Sequence, residues 1–410
     1  MLEKDWLSGA KLAPNSHIDA PVTAHLLPRE QGNTFLGVLR LNKPKALNAL
    51  DLEMVQVLTG FLSEWQKDVS VSAVLLLGEG EKAFCAGGDV VSMHRAMQEQ
   101  REQENLAPND TLDKAPGFIQ DFFTQEYQLD YFISQYPKPI VCWGTGIVMG
   151  GGLGLFAAAK HAIVTETSHI AMPEITIGLF PDVGGSYFLN KMPTGMGLFL
   201  GLTGASINAK DALFLGLAKH VLHSSVLPQL VEHLLRSPQL ADQDVSAILD
   251  DLQVSPESQS PELEGLSGKL PPFKDAFASF ADVNGVQDIE QALKEIASQH
   301  EDNVWLQKAL KGLQRGSPIT AHLVVEQLRR GRDLSLAACF QQEINIAVSC
   351  SMHGEFQEGV RALLIDKDRQ AKWRYTEWGD VPASFIASHF TYFDVSENPL
   401  LHIDSVLTAN

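Results

Sequence analysis

The chain has 410 residues, of which 45% are hydrophobic and 20% charged, the composition of an ordinary globular protein. The 31 basic and 50 acidic side chains give a formal net charge of −19, which disfavours nucleic acid or an anionic membrane as the main partner. No apolar run reaches the roughly 18 residues of a membrane-spanning helix. The first residues lack the basic and apolar stretches of a secretory leader.

Four cysteines are scattered along the chain, and their spacing forms no CxxC pair and suggests no histidine cluster beside them. We therefore predict neither a disulfide framework nor a metal site, and we expect plain core cysteines in a reducing, cytoplasmic location. The cysteines are Cys85, Cys142, Cys339 and Cys350.

The first half of the chain alternates β-prone and helix-forming segments. Strands are predicted at residues 34–41, 71–77, 139–144 and 161–165. The second of these is apolar almost throughout, as in a strand buried on both faces of a parallel sheet. Asn48, with Asp51 three residues later, predicts a capped helix start. Strand and helix repeated with short turns indicate an α/β core.

Two later segments interrupt this alternation. Residues 97–117 are polar and contain two prolines, which predicts a mobile insertion or lid before a helix at 118–135. Residues 254–272 contain four prolines and predict a linker. The predicted organisation is an N-terminal tail at 1–24, an α/β core at 25–235 and a mainly helical region at 236–410.

Two glycine-rich turns, at 87–88 and 150–154, each follow a predicted strand and precede a helix-forming segment. Glycine lets backbone N–H groups approach a ligand closely, and a helix N-terminus carries partial positive charge. One N–H from each turn could stabilise an oxygen that becomes negative during a reaction. For the first turn alone, a plain strand-to-helix connection explains the glycines equally well.

Three carboxylates are candidates for chemistry. Glu174 and Asp182 each follow a proline directly, and a fixed carboxylate can act as a base or a nucleophile. Glu126 lies on an apolar helical stripe, where a carboxylate is costly to bury unless it is paired. A residue at the edge of the stripe, or a buried salt bridge, explains Glu126 as well as a pocket residue does. Phosphate-loop, dinucleotide, GxSxG and HExxH motifs are absent.

The motifs together resemble the crotonase (enoyl-CoA hydratase/isomerase) superfamily. The resemblance rests on KALNAL at 45–50, AFCAGGD at 83–89, GGG at 150–152 and PE at 173–174. IGLFPDVGG at 177–185 and EGVRALLIDK at 358–367 are more specific and resemble its 3-hydroxyisobutyryl-CoA hydrolase branch. The implied fold is α/β, a crotonase-like ββα superhelix with a largely helical C-terminal region.

The resemblance also implies roles for individual residues. The N–H groups of Gly88 and Gly151 would form the oxyanion hole for the thioester oxygen. Glu174 would be the catalytic glutamate, Asp182 its acidic partner in the hydrolase branch, and Glu126 a glutamate in contact with the substrate. Further substrate-binding residues, along the groove for coenzyme A (CoA), would be Lys45, Ala46, Ala86, Gly87 and Asp89.

One position separates the branches of the superfamily. Hydratases carry a second catalytic glutamate where this chain has Gly154, or Leu155 in another alignment. We therefore expect hydrolysis of a short branched β-hydroxyacyl-CoA thioester, namely 3-hydroxyisobutyryl-CoA in valine catabolism. No cofactor is expected besides CoA as part of the substrate. Alternatives are an enoyl-CoA hydratase or isomerase and a non-catalytic CoA-binding protein, and a homo-oligomer is left open.

Overall fold

The computed structural model describes residues 7, 9–30, 33–107, 110–253, 260–282 and 285–407. The chain divides into two compact units, each assembled from three segments. The first unit comprises Met1–Gly88, Leu129–Ile170 and Ile207–Lys269, and the second comprises Asp89–Gln128, Ala171–Ser206 and Leu270–Asn410. Within the described ranges, no helix combines the length and apolar character needed to cross a membrane.

The strands belong almost wholly to the first unit. They are β1 Lys11–Leu12, β2 Val22–Pro28, β3 Phe35–Leu41, β4 Val71–Gly78, β5 Ala83–Cys85, β6 Ile140–Gly144, β7 Ile147–Met149, β8 His161–Val164, β9 His169–Ala171 and β10 His220–Val221. One sheet has the order β1-β2-β3-β4-β6-β8-β10, and it is parallel from β3 onward. A smaller sheet has the order β5-β7-β9. The four strands predicted from the sequence are therefore present.

Helices make up most of the second unit and flank the sheets of the first. They are α1 Leu52–Lys67, α2 Val90–Glu104, α3 Gly117–Ser134, α4 Gly151–Ala158, α5 Gly185–Lys191, α6 Met196–Thr203, α7 Ala209–Leu215, α8 Leu227–Arg236, α9 Asp242–Gln253, α10 Pro261–Glu264, α11 Lys274–Ala278, α12 Val286–Ser298, α13 Val304–Arg315, α14 Pro318–Gly331, α15 Leu336–Cys350, α16 Glu355–Val360 and α17 Ala383–Ser388. The helical C-terminal region is thus confirmed. Helix α3 is divided between the units after Gln128.

The core of the first unit is built on the large sheet. Apolar side chains of β3, β4 and β6 form one buried cluster with those of α8 and α9, such as Leu230 and Leu249. Trp65 of α1 packs against β3 at Gly37, where an added Cβ would lie 2.5 Å from the indole ring. A glycine at this position is therefore required by close packing, since the interior has no spare volume for a methyl group.

The start of α1 differs from the prediction. The N-cap is Asp51, whose side chain accepts a hydrogen bond of 2.9 Å from the backbone N–H of Met54. Asn48 is buried with a φ of 56°, and its amide donates to the carbonyl oxygen of Ala83 over 2.9 Å. The prediction of a cap at Asn48 was wrong because a contact distant in sequence uses that side chain.

Within the predicted insertion at 97–117, residues 108–109 lie outside the described residues, and the rest is partly helical and held by long-range hydrogen bonds, where the sequence predicted a mobile insertion or lid. Helix α2 continues to Glu104. Its Arg101 is buried and donates hydrogen bonds to the Gln357 side chain over 2.8 Å and to the Met352 carbonyl over 2.9 Å. These long-range bonds, invisible in the local sequence, anchor the segment within the second unit.

Regular structure begins before the end of the predicted tail, since β1 pairs antiparallel with β2. Within the predicted linker, residues 254–259 lie outside the described residues, and α10 follows them. The predicted domain boundaries after residues 24 and 235 stay predictions.

Candidate active site

Three buried carboxyl groups meet in the second unit. Glu126 comes from α3, Glu174 opens a short 3-10 helix after Pro173, and Asp182 follows Pro181. All three are at most 4% exposed, and the charges of Glu174 and Asp182 both act on Glu126. The structure therefore brings together the three carboxylates that the sequence had singled out.

The carboxyl groups of the cluster are not paired with a basic side chain in the described part of the chain. Among the described residues, none of the three carboxylates forms a salt bridge. One oxygen each of Glu126 and Glu174 also has no hydrogen-bond partner among those residues. Unpaired buried carboxylate oxygens are costly in a resting protein, and they are typical of groups reserved for a ligand or a reaction.

Burial dominates the proton affinity of the cluster. Desolvation, followed by the charge of Asp182, holds the pKa of Glu174 well above its ordinary value. The pKa of Glu126 is also well above the ordinary value, because of desolvation and the charges of Asp182 and Glu174. Desolvation raises the pKa of Asp182 to about 7, against the opposing effect of a hydrogen bond from Tyr127. At neutral pH the cluster therefore holds protons as well as charge, as an acid–base site requires.

Two groups that the sequence did not reveal support Asp182. The hydroxyl of Tyr127 donates to Asp182 Oδ2 over 2.8 Å, and Tyr127 is fully buried against Phe340. Glu343, on α15, accepts backbone hydrogen bonds from Gly184 and Ser186, just beyond Asp182. Glu343 is a carboxylate on an apolar helical face, the same pattern that singled out Glu126. The sequence alone could therefore have indicated Glu343 as a candidate.

The two glycine-rich turns meet in the first unit. Strands β5 and β7, which lead into them, pair in parallel. Gly87 has a φ of 113°, and an added Cβ there would lie 4.0 Å from the Gly151 nitrogen. Gly151 is the first residue of α4, so no carbonyl of its own helix can accept its N–H. The geometry places two glycine backbones side by side, and the oxyanion role of Gly88 and Gly151 stays a prediction.

The other substrate-binding candidates lie at the ends of elements. Lys45 and Ala46 are exposed in a short 3-10 helix, and Ala86 is half-buried beside the first glycine turn. Asp89 is the N-cap of α2 and accepts hydrogen bonds from the backbone and hydroxyl of Ser92. Asp89 therefore has a structural role of its own, and binding by these residues stays a prediction.

The motif at 358–367 lines a groove of about 700 Å³ in the second unit. Arg361 stands at this groove and pairs with three carboxylates. The backbone forms a π-helical turn at Arg361–Ile365, a form that is often found at functional positions. The charge of Arg361 is already balanced by these carboxylates. Arg361 therefore holds the residues of the groove together and does not offer a free cation to an anionic ligand. The pairing carboxylates are Glu358, Asp366 and Asp368.

One cluster could hold a metal ion, contrary to the expectation that no histidines accompany the cysteines. Donor atoms of Cys350, His353 and His389 lie within 4.8 Å of one another, all buried. The two imidazoles already share a hydrogen bond of 2.9 Å between their Nε2 atoms. The positive charges of Arg101 and Arg374 also act on His353. A neutral, hydrogen-bonded imidazole pair explains this cluster better than a cation site does.

Comparison with known proteins identifies the family. The family model described as enoyl-CoA hydratase/isomerase matches residues 36–390. The chain belongs to the enoyl-CoA hydratase/isomerase family. The structure is similar to that of an enoyl-CoA hydratase from Rhodobacter sphaeroides, with a TM-score of 0.72 and 32% identity, over 90% of this chain and 97% of the other. The predicted fold class and family resemblance are confirmed.

Among named relatives in this family, the 3-hydroxyisobutyryl-CoA hydrolase of Danio rerio is 34% identical over 382 residues. That alignment covers 91% of this chain and 93% of the relative. The small ribosomal subunit protein mS47 of Neurospora crassa is also 34% identical, over 89% of this chain and 71% of that protein.

The Danio rerio relative is named as mitochondrial. The prediction of a cytoplasmic location was therefore wrong. Its physical basis was the scarcity of cysteines, which indicates a reducing environment and does not distinguish one reducing compartment from another.

Proposed function

We propose that this protein hydrolyses the thioester of a short branched β-hydroxyacyl-CoA, with 3-hydroxyisobutyryl-CoA as the substrate and valine catabolism as the pathway. The observation that carries the proposal is the buried cluster of Glu126, Glu174 and Asp182, none of which forms a salt bridge with another described residue. The named hydrolase relatives, similar over nine-tenths of the chain, support the same reaction class.

Glu174 and Asp182 can take different roles in the reaction. Glu174, when ionised, either takes a proton from the attacking water or attacks the thioester carbon itself to form an anhydride. The carbon–sulfur bond then breaks, and the CoA thiolate takes up a proton as it leaves. In the nucleophilic route, water hydrolyses the anhydride and restores Glu174. Asp182, half protonated near its pKa of about 7, can hold the 3-hydroxyl group or the water together with Glu126.

The developing negative charge on the thioester oxygen needs hydrogen-bond donors. The proposal assigns this role to the backbone N–H groups of Gly88 and Gly151. Their turns lie side by side in the first unit, and α4 adds the partial positive charge of a helix start at Gly151. Backbone donors on packed glycine turns are fixed before the substrate arrives, which is what electrostatic stabilisation of a transition state requires.

Release of free thiol from a panel of acyl-CoAs tests the proposal. We expect rapid release from 3-hydroxyisobutyryl-CoA, slower release from unsubstituted acyl-CoAs of the same length, and no appreciable hydration of crotonyl-CoA. The variants Asp182→Asn and Glu174→Gln, each of which replaces one carboxylate with an amide, are assayed beside the wild type. Absence of thiol release from every member of the panel would end the proposal.

Two comparisons suggest alternative functions, a hydratase reaction and a non-catalytic role. Similar solved structures are titled enoyl-CoA hydratase and carnitinyl-CoA dehydratase, but the position of the second hydratase glutamate is Gly154, or Leu155 in another alignment, both inside α4. Hydration of crotonyl-CoA without thiol release would favour that reaction. The mS47 relative is named as a small ribosomal subunit protein, and the signature of a non-catalytic alternative is CoA binding with neither reaction.

A further inference from the structure

The backbone that carries Asp182 is held in an uncommon conformation. Val183 has a φ of 49° and Gly184 a φ of 88°. A β-branched residue with positive φ is a genuine outlier that persists only when its surroundings fix it, and such residues concentrate at functional sites. Both residues lie directly after Asp182, so whatever holds them also fixes the direction of its carboxylate.

Glu343 on α15 supplies that restraint. Its Oε2 accepts the N–H of Gly184 over 2.8 Å, and its Oε1 accepts the N–H of Ser186 over 2.7 Å. The side chain of Gln327, on α14, adds a neutral hydrogen bond to the carbonyl oxygen of Pro181. The turn is therefore clamped on both sides of Asp182, by a charged group on one side and a neutral amide on the other.

The charged side of the clamp is itself a buried carboxyl group. Glu343 is completely buried, and desolvation raises its pKa to about 8 against the opposing effect of the two N–H bonds. The charge of Asp182 adds to this rise. The titratable groups whose interactions include Asp182 are Glu126, Tyr127, Glu174, Glu343 and Cys350.

We propose that Glu343 is a positioning residue for the hydrolysis, which orients Asp182 through the backbone of the Val183–Ser186 turn. The inference rests on the proposed function. It adds a residue that acts on Asp182 through two backbone N–H groups.

The test compares Glu343→Gln with Gln327→Met, which loosens the same turn without changing charge. Asp182→Asn first identifies which limb of the pH–rate profile belongs to Asp182. For Glu343→Gln, whose amide NH₂ cannot accept an N–H, we expect kcat to fall up to about 10²-fold through misplacement with little change in KM. The Asp182 limb should stay near its wild-type position, because Glu343, with a pKa of about 8, is mostly neutral where Asp182, with a pKa of about 7, titrates. Gln327→Met should lower kcat and leave the limb in place.

Glu343→Asp keeps the charge on a shorter side chain, and it covers the case in which Glu343→Gln does not fold. It should lower kcat while keeping the Asp182 limb close to its wild-type position. A Glu343→Gln enzyme with wild-type kcat but a lower Tm would overturn the inference, since Glu343 would then only support the fold. A wild-type enzyme without thiol release would instead overturn the proposed function.

Discussion

At the scale of single residues, the three carboxyl groups that the sequence singled out are buried, and so is Glu343, which the fold adds. Glu174, like Glu126, has an oxygen without a hydrogen-bond partner among the described residues and a raised pKa, and the proposed function makes Glu174 the base or nucleophile. Glu174→Gln keeps the shape of the side chain and removes both its basicity and its nucleophilicity. We expect kcat to fall by about 10²–10⁴-fold, the usual worth of a positioned acid–base group, as measured by thiol release at saturating substrate.

The matched control for this variant is Glu301→Gln, the same chemical change at an exposed position of the second unit. Its kcat should equal that of the wild type. Near-normal turnover in Glu174→Gln would remove Glu174 from the mechanism, and an unchanged circular dichroism spectrum would show that a loss of activity is chemical rather than structural.

The hydroxyl of Tyr127 favours the ionised form of Asp182. Its hydrogen bond lowers the pKa of Asp182 by stabilising the carboxylate. Tyr127→Phe removes the donor and keeps the buried ring, so the Asp182 limb of the pH–rate profile should move to higher pH. The free energy of unfolding should fall by about 1–3 kcal/mol, since a buried acceptor loses its partner.

Tyr136→Phe is the control for Tyr127→Phe, since its hydroxyl donates over 2.8 Å to the Leu62 carbonyl, in the first unit. It should cost similar stability without moving the pH–rate profile. A limb that moves to lower pH in Tyr127→Phe would contradict the assigned donor and acceptor.

At the scale of elements, the glycine turn between β7 and α4 is predicted to supply one of the two oxyanion donors, the N–H of Gly151. Gly151→Ala places a methyl group at the start of α4 and shifts an N–H without removing it. We expect a clear fall in kcat, smaller than the 10²–10³-fold that loss of a whole oxyanion donor costs. The dissociation constant for free CoA, measured by calorimetry, should change little, and a collapse of CoA affinity with intact kcat would refute the oxyanion role.

Gly60→Ala is the control at the same scale. Gly60 lies in the interior of α1, and an added Cβ meets no atom within 4 Å. The substitution should leave kcat unchanged and raise the free energy of unfolding by about 0.5–1 kcal/mol, because alanine loses less conformational entropy in a helix than glycine.

The type of an element could be predicted from the sequence where the signal is local. The predicted boundaries of elements were wrong where a contact distant in sequence determines the local structure. The run at 71–77 is apolar on both faces and becomes the buried strand β4. The start of α1 was mispredicted because the Asn48 side chain hydrogen-bonds to β5, later in the chain. The order in part of 97–117 was not predicted because Arg101 hydrogen-bonds to residues more than 250 positions away in sequence. Tyr127 and Glu343 belong to the site for the same reason, since only the fold brings α3 and α15 to Asp182.

At the scale of the whole molecule, several buried carboxyl groups share one sign of pKa shift, and folding stability must respond to pH. The folded state holds protons that the unfolded chain releases, since the pKa values of Glu126, Glu174, Asp182 and Glu343 are all raised. The contribution of each group is most favourable near or below its unfolded pKa and is lost as the pH rises toward its folded pKa. Histidines oppose this at low pH, because His353 and His389 are buried with lowered pKa values.

Asp182→Asn isolates one member of this set, because asparagine is nearly isosteric and does not titrate. Between its unfolded pKa and a folded pKa of about 7, Asp182 can remove at most about 1.4 kcal/mol of stability per pH unit. We therefore expect the free energy of unfolding to fall less steeply between pH 5 and pH 7 in Asp182→Asn than in the wild type. Denaturant titration at several pH values measures the slope, with the exposed Asp302→Asn as control. An equal or steeper fall in Asp182→Asn would show that Asp182 is ionised in the folded state throughout this range, and would remove the proton that the proposed mechanism places on it.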